Sequence, residues 1–288
     1  MHLEDIHLRD PFILPFDNKY YLYGSRGEEA FGKCTGLDVY ISEDLQNWSG
    51  PKEVFTPPEN FWSNKHFWAP EVHLYKGKFY MFASFISEKR KRGTQILVSE
   101  SPEGPFRPHS DGPVTPAELN CLDGTLYIDD DKVPYMIYCK EWLQEPLPNI
   151  VGEMCAVRLT ADLKQSVGEE VYLFKANDPA WVNPDRKVFV TDGPFVYRTQ
   201  GGNALLLWSS FGPNGYCNVV SVPEGKVISA RWTHCEDIFF KDNGGHGNVF
   251  QAFDGRIMFI CHKPNDPPKE RPVLFEVYEE NNMIFLKE

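Results

Sequence analysis

Long hydrophobic runs are missing from this 288-residue chain, which has no stretch of the roughly 18 apolar residues that a membrane helix needs. The N-terminus also lacks a basic segment followed by an apolar one, so it reads as neither a membrane span nor a signal peptide. The expectation is a cytoplasmic protein without membrane contact; a periplasmic or secreted chain trimmed of its leader would read the same. Positive charge is scarce. Against 41 Asp and Glu stand 29 Lys and Arg, leaving a net charge of −12 and a pI near 5.2. That balance argues against nucleic acid or an anionic membrane as partner, because each demands a basic face. A small neutral substrate fits better. The seven cysteines are an odd number with no CxxC pair and no Cys/His cluster at zinc spacing. They read as buried free thiols, not as a disulfide framework. Helical periodicity over more than ten residues is also hard to find, which leaves little room for helical folds.

What the chain does have is turns and aromatic residues. It carries 23 Pro, 22 Gly and 14% aromatics, the makings of many short strands. One pattern returns five times: Asp10 opens "DPFILPFDNKYYLYGS", Glu71 "EVHLYKGKFYMFAS", Asp123 "DGTLYIDDDKVPYMIYC", Asp192 "DGPFVYRTQGGNALLLWSS" and His246 "HGNVFQAFDGRIMFICH". Each copy is a strand, a turn and a second strand. The turns fall at Asp17–Asn18, Lys76–Gly77, Asp129–Asp130, Gly201–Gly202 and Asp254–Gly255, where residue types that tolerate positive φ are present. Further apolar strands follow, as in "LDVYISEDLQNWSGP", "QILVSESPEGPFRP", "MCAVRLTADLKQSVG" and "NVVSVPEGKVISARW". A repeat averaging about sixty residues and holding four strands is a propeller blade. The predicted fold is an all-β, five-bladed β-propeller filling one domain, 1–288. The segments 24–36, 56–67, 140–153 and 176–190 read as loops. Because an open ring would leave two unpaired blade edges, the N-terminal segment is expected to join C-terminal strands in the last blade.

In a propeller the first strand of each blade lines the central channel. Asp10, Glu71, Asp123, Asp192 and His246 then ring one mouth of it. A lone Asp before Pro or Gly is ordinarily a turn residue; five in phase are harder to dismiss. Four carboxylates crowded into one pocket must raise some of each other's pKa values. One ionised carboxylate beside one protonated one is the arrangement that acid–base chemistry uses.

These residues make the chain resemble glycoside hydrolase family 43, on the motifs "RDPFI", "DLQNW", "FWAPEV", "LDGTLYIDDDKVPYMIY", "VTDGPFVYR" and "GGHGNVF". The resemblance implies a five-bladed propeller that hydrolyses arabinosides or xylosides with inversion. Carried over by position, Asp10 matches the general base and Asp123 the carboxylate that orients the acid and raises its pKa. Asp192 stands at the general-acid position, where the family usually has Glu. His246 matches an axial histidine beside a central calcium ion or ordered water. No cofactor is implied for the chemistry itself.

Asp192 is the departure. It is one methylene short, about 1.5 Å, and an error of that size can cost about 10²-fold in rate. Either the pocket is rebuilt around it or another acid serves, with Glu141 in "CKEWLQ" the alternative; Glu141 also reads as a solvated loop carboxylate. Glu71 is expected as a hydrogen-bonding wall residue. Trp68, Trp142, Phe31 and Arg271 are the expected sugar contacts, while Trp208 and Trp48 read as core. The reading is an inverting, exo-acting α-L-arabinofuranosidase, its base and acid carboxyls about 6.5–9.5 Å apart. β-Xylosidase activity is the alternative on the same fold. A carbohydrate-binding propeller that has lost its acid is the rival from another class, followed by a protein-interaction propeller. A retaining fructosidase is disfavoured because the Trp-Met-Asn-Asp-Pro pattern of that family is absent.

Overall fold

In the computed structural model, which describes residues 1–143, 150–229 and 231–287, 55% of the chain is strand and 2% helix. The strands form five four-stranded antiparallel sheets, each built from consecutive strands. This is a five-bladed propeller. The innermost strands are Leu8–Phe16, Lys65–Tyr75, Cys121–Ile128, Asp192–Arg198 and Val249–Gln251. Next to them run Lys19–Arg26, Lys78–Ile86, Pro134–Lys140, Ala204–Gly212 and Ile257–Lys263.

The second strands are near-continuous apolar runs such as "KFYMFASFI", buried on both faces. Alternation is lost there because each blade is sandwiched between two others, as in any sheet covered on both sides. The outermost strands, such as Ser49–Phe55, face solvent and are polar. Five apolar clusters fill the five blade-to-blade interfaces. The cluster with Phe12, Phe67 and Phe85 lies between the first two blades, for example. Trp208 and Trp48 are core, as expected, and so are six of the seven cysteines.

Asp17, Asn18, Lys76 and Gly77 have the positive φ of tight hairpin turns. In the third blade the turn is longer. Its positive φ falls on Lys132, not on Asp129–Asp130, and Asp129 N–H bonds Val133 O.

The ring does not close as the sequence suggested. The last blade consists of four C-terminal strands, and the N-terminus forms a short 3-10 turn, Leu3–Asp5, that packs against one of them. Side chains make the closure instead. Asn248, buried, accepts from Ile13 N–H at 2.9 Å and donates to Ile13 O at 3.0 Å. Arg9 pairs with buried Glu270, and the Arg271 guanidinium reaches Glu4 O and the His7 ring. With the blade edges covered by packing on both sides, no shared strand is needed.

Candidate active site

The inner strands share a local irregularity that sets the site. Asp10, Ala69, Asp123, Gly193 and His246 all have positive φ, 46–56°, and each precedes Pro or Gly. Left-handed backbone at a non-glycine residue costs about 1–3 kcal/mol and persists only where its surroundings enforce it. Here the preceding blade does so. Asp10 N–H is held by His262 Nδ1 at 3.2 Å, Ala69 N–H by Ser25 Oγ at 2.9 Å, Asp123 N–H by Ser84 Oγ at 2.9 Å and His246 N–H by Ser209 Oγ at 2.8 Å. The equivalent residue of the third blade is Cys139, paired with Leu122 as Ser25 is with Arg9. There the anchor changes: Gly193 N–H bonds the Asp123 carboxyl at 3.2 Å.

This register corrects the ring read from sequence. The second and fourth members are Ala69 and Gly193, not Glu71 and Asp192. Glu71 sits two residues deeper in the channel, buried against His73 Nε2 at 3.1 Å, and does not line the pocket. Asp192 sits one residue earlier, in the tier that also holds Arg9, Trp68 and Leu122, and all four line the pocket. Gly193 allows this arrangement, since a Cβ there would lie 2.7 Å from the His246 ring.

The carboxyls differ in state. Burial alone would raise Asp10, but the His246 ring, Arg9, His262 and the Ser25 hydroxyl together lower it to about 2. Ser25 Oγ donates to Asp10 Oδ2 at 2.6 Å. His262, lowered to about 4 chiefly by burial, is neutral at pH 7. Its Nδ1 accepts from Asp10 N–H, leaving Nε2–H for Asn265 Oδ1 at 3.3 Å. Asp123 goes the other way: burial, then the charge and hydrogen bond of Asp192, raise it well above the usual range. Asp123 is thus held beside the Asp192 carboxyl, which disfavours its ionised form. Asp192 is the more exposed member, and its Oδ2 accepts from the fully buried Tyr216 hydroxyl at 2.6 Å. His246 Nδ1 faces all three, at 3.4 Å from Asp10, 3.7 Å from Asp192 and 3.8 Å from Asp123. The nearest oxygens of Asp10 and Asp192 are therefore no more than about 7 Å apart, a bound that admits both the inverting and the shorter retaining spacing. Such a site can take a proton at Asp10 and give one from Asp192.

The model for "Glycosyl hydrolases family 43" matches residues 5–278. The chain belongs to glycosyl hydrolase family 43. Along 98% of both chains this family-43 protein is similar, at 37% identity and a TM-score of 0.87, to the crystal structure of an endo-arabinase from Bacteroides thetaiotaomicron VPI-5482. It is also similar to the extracellular endo-alpha-(1->5)-L-arabinanase 1 of Bacillus subtilis (strain 168), 27% identical over 47% of this chain and 44% of that one. A third relative is xylosidase/arabinosidase 43A of Humicola insolens, 26% identical over 49% and 46%. The match thus spans a little under half the length of these two curated relatives.

Of the expected contacts, the family-43 fold brings Phe31, Trp68 and Trp142 to the pocket wall, together with Glu141, the alternative acid. Glu141 is in a 2.7 Å ion pair with buried Arg92. Arg271 is elsewhere, in a surface depression with His2, Leu3 and Glu4. The reason is strand phase: Glu270 points inward to Arg9, so its neighbour Arg271 points out. The cation in the pocket is Arg9. Sequence reasoning also missed Tyr216, His262 and Phe211. The small polar residue near the end of each second strand, in "YGSR", "FASF", "WSSF" and "ICHK", was the available signal for His262.

Asp123, Asp192 and His246 offer ligand atoms within 4.8 Å of one another. They are a poor cage for calcium, which takes six to eight oxygens. One donor is an imidazole nitrogen, so the three residues supply few of those oxygens.

Proposed function

We propose that this protein is an inverting glycosidase releasing terminal L-arabinofuranosyl residues from arabinose-containing glycans. The observation that carries the proposal is the convergence of Asp10, Asp123 and Asp192 on His246 Nδ1 in one small pocket, where cationic neighbours lower Asp10 and burial raises Asp123. Asp10 takes a proton from a water whose oxygen attacks the anomeric carbon. Asp192 gives its proton to the glycosidic oxygen as the bond breaks on the other face. Asp123, the buried partner, raises the pair's affinity for that proton. The Tyr216 hydroxyl holds the short acid in place, which supports a pocket rebuilt around Asp rather than one that has lost its acid.

The cavity, about 210 Å³, is small beside the 300–1,000 Å³ of common ligand sites, which supports one sugar ring and exo action. The similarity to the endo-arabinase structure supports arabinose over xylose and favours a second reading, internal cleavage. Linear (1->5)-linked arabino-oligosaccharides followed by proton NMR separate the cases. Free arabinose appearing first, as the inverted anomer, is the expected result. Shorter oligosaccharides from the outset would establish the endo reading, and a retained anomer would overturn inversion. Turnover of xylosides alone would move the substrate to xylose. Binding without turnover would make the protein a lectin.

A further inference from the structure

The aromatic wall of the pocket has a backing that the proton chemistry does not require. Trp68 donates its indole N–H to Ala30 O and meets the edge of Phe31 at 5.8 Å. Behind it lies Arg92, buried, with its guanidinium carbon 3.6 Å from the indole centroid. His66 stacks on the same indole at 4.8 Å with an interplanar angle of 5°. Arg92 Nη2 donates to His66 Nδ1 at 3.2 Å, too short a contact to reach across the indole. The cation and the imidazole therefore back Trp68 from one face, and Trp68 itself lines the pocket. Burial and Arg92 both lower His66, which keeps Nδ1 an acceptor. Arg92 Nε in turn donates to Glu141 at 2.7 Å.

We propose that Glu141 and Arg92 are positioning residues that fix the angle of Trp68, making it a pre-set stacking plate for the sugar. This rests on the reading of the pocket as a glycan site. The 2.7 Å ion pair engages the Glu141 carboxylate with Arg92 behind the plate, a geometry that fits a positioning role. Fixing the plate in advance spares the ordering cost that a mobile indole would incur when sugar binds. The chain of contacts also couples two blades. Trp68 and Arg92 come from the second, and Glu141 follows the second strand of the third.

The test compares Glu141→Gln, nearly isosteric, and Arg92→Lys with the parent protein, after thermal melts confirm folding. Calorimetry gives Kd for arabino- and xylo-oligosaccharides; kinetics give KM and kcat for an aryl glycoside and a natural oligosaccharide. Both variants should raise Kd and KM about tenfold, about 1.4 kcal/mol. They should leave kcat within about twofold, keep the pH profile, and add nothing further in a Trp68→Ala background. A loss of kcat confined to the poor leaving group in Glu141→Gln would make Glu141 a proton donor and overturn the proposal. Unchanged Kd in both variants, or full additivity with Trp68→Ala, would do the same. If the parent binds sugars without turnover, the hydrolase reading fails and the Kd comparison still decides this one. If it binds none of them, the plate has no ligand and the proposal falls.

Discussion

Asp10 and Asp192 are the same residue type in different surroundings, and the proposed mechanism asks one to take a proton and the other to give one. Asp10 is surrounded by an imidazole, a guanidinium and a hydroxyl donor, and its proton is gone far below neutral pH. We expect Asp10→Asn to lower kcat by about 10²–10⁴-fold, as loss of a general base does, with the melting temperature little changed. An unaffected rate would remove Asp10 from the reaction. For Asp192 the leaving group is the probe. Asp192→Ala should lose about 10²–10⁴-fold on natural oligosaccharides but stay within about tenfold on a dinitrophenyl glycoside, whose leaving group needs no proton. Equal losses on both would exclude Asp192 as the donor. The alkaline limb of the pH–rate profile should report the Asp123–Asp192 pair as a unit. Because Tyr216 donates to the ionised form, Tyr216→Phe should move that limb to higher pH.

At the scale of the strand, the phase of the inner strand decides which side chains meet, and it was the part least legible beforehand. Five strand pairs, their turns and their number could be read from apolar runs and from Gly, Asn and Asp. The left-handed residue near the head of each inner strand could not, because alternation in sequence does not reveal an extra residue in a bulge. Counting from the first polar residue placed Glu71 and Asp192 two positions late and one early. The better marker was the Pro or Gly that follows each left-handed residue: Pro11, Pro70, Gly124, Pro194 and Gly247. Arg271, expected from the resemblance alone, lies outside the pocket, and Arg9 lines it. Asp10, Asp123 and His246 were legible because they occupy the left-handed position itself. The seam between the first and last blades offers a test at this scale. Asn248→Ala would strand both Ile13 N–H and Ile13 O in a buried place. We expect a loss of about 2–4 kcal/mol in urea unfolding, from two buried groups left unpaired. A change under about 0.5 kcal/mol would mean that packing alone closes the ring.

For the molecule as a whole, the same closure makes stability depend on pH. His262 is fully buried in the last blade and holds the first through Asp10 N–H. Its pKa falls from 6.5 in the unfolded chain to about 4 in the folded one. Below about pH 6.5 the unfolded chain takes up a proton that the folded chain refuses until about pH 4, so stability declines across that window. A separation of this size corresponds to roughly 3 kcal/mol. Asp10, lowered from 3.8 to about 2, adds stability that is full above pH 3.8 and disappears as pH falls towards 2. Asp123 opposes both. Raised and protonated when folded, it costs stability at every pH above 3.8, where the unfolded chain would release its proton. Between pH 6.5 and 4, then, His262 has the large shift, His66 and His234, also lowered by burial, add to the decline, and Asp10 and Asp123 do not. His262→Gln keeps an acceptor for Asp10 N–H and has no proton to gain. Melting temperatures measured from pH 7 to pH 4 should fall steeply for the parent and much less for this variant. Parallel slopes would assign acid sensitivity to groups outside the seam, whereas a flattened slope would identify the contact that closes the ring as the one that acid opens first.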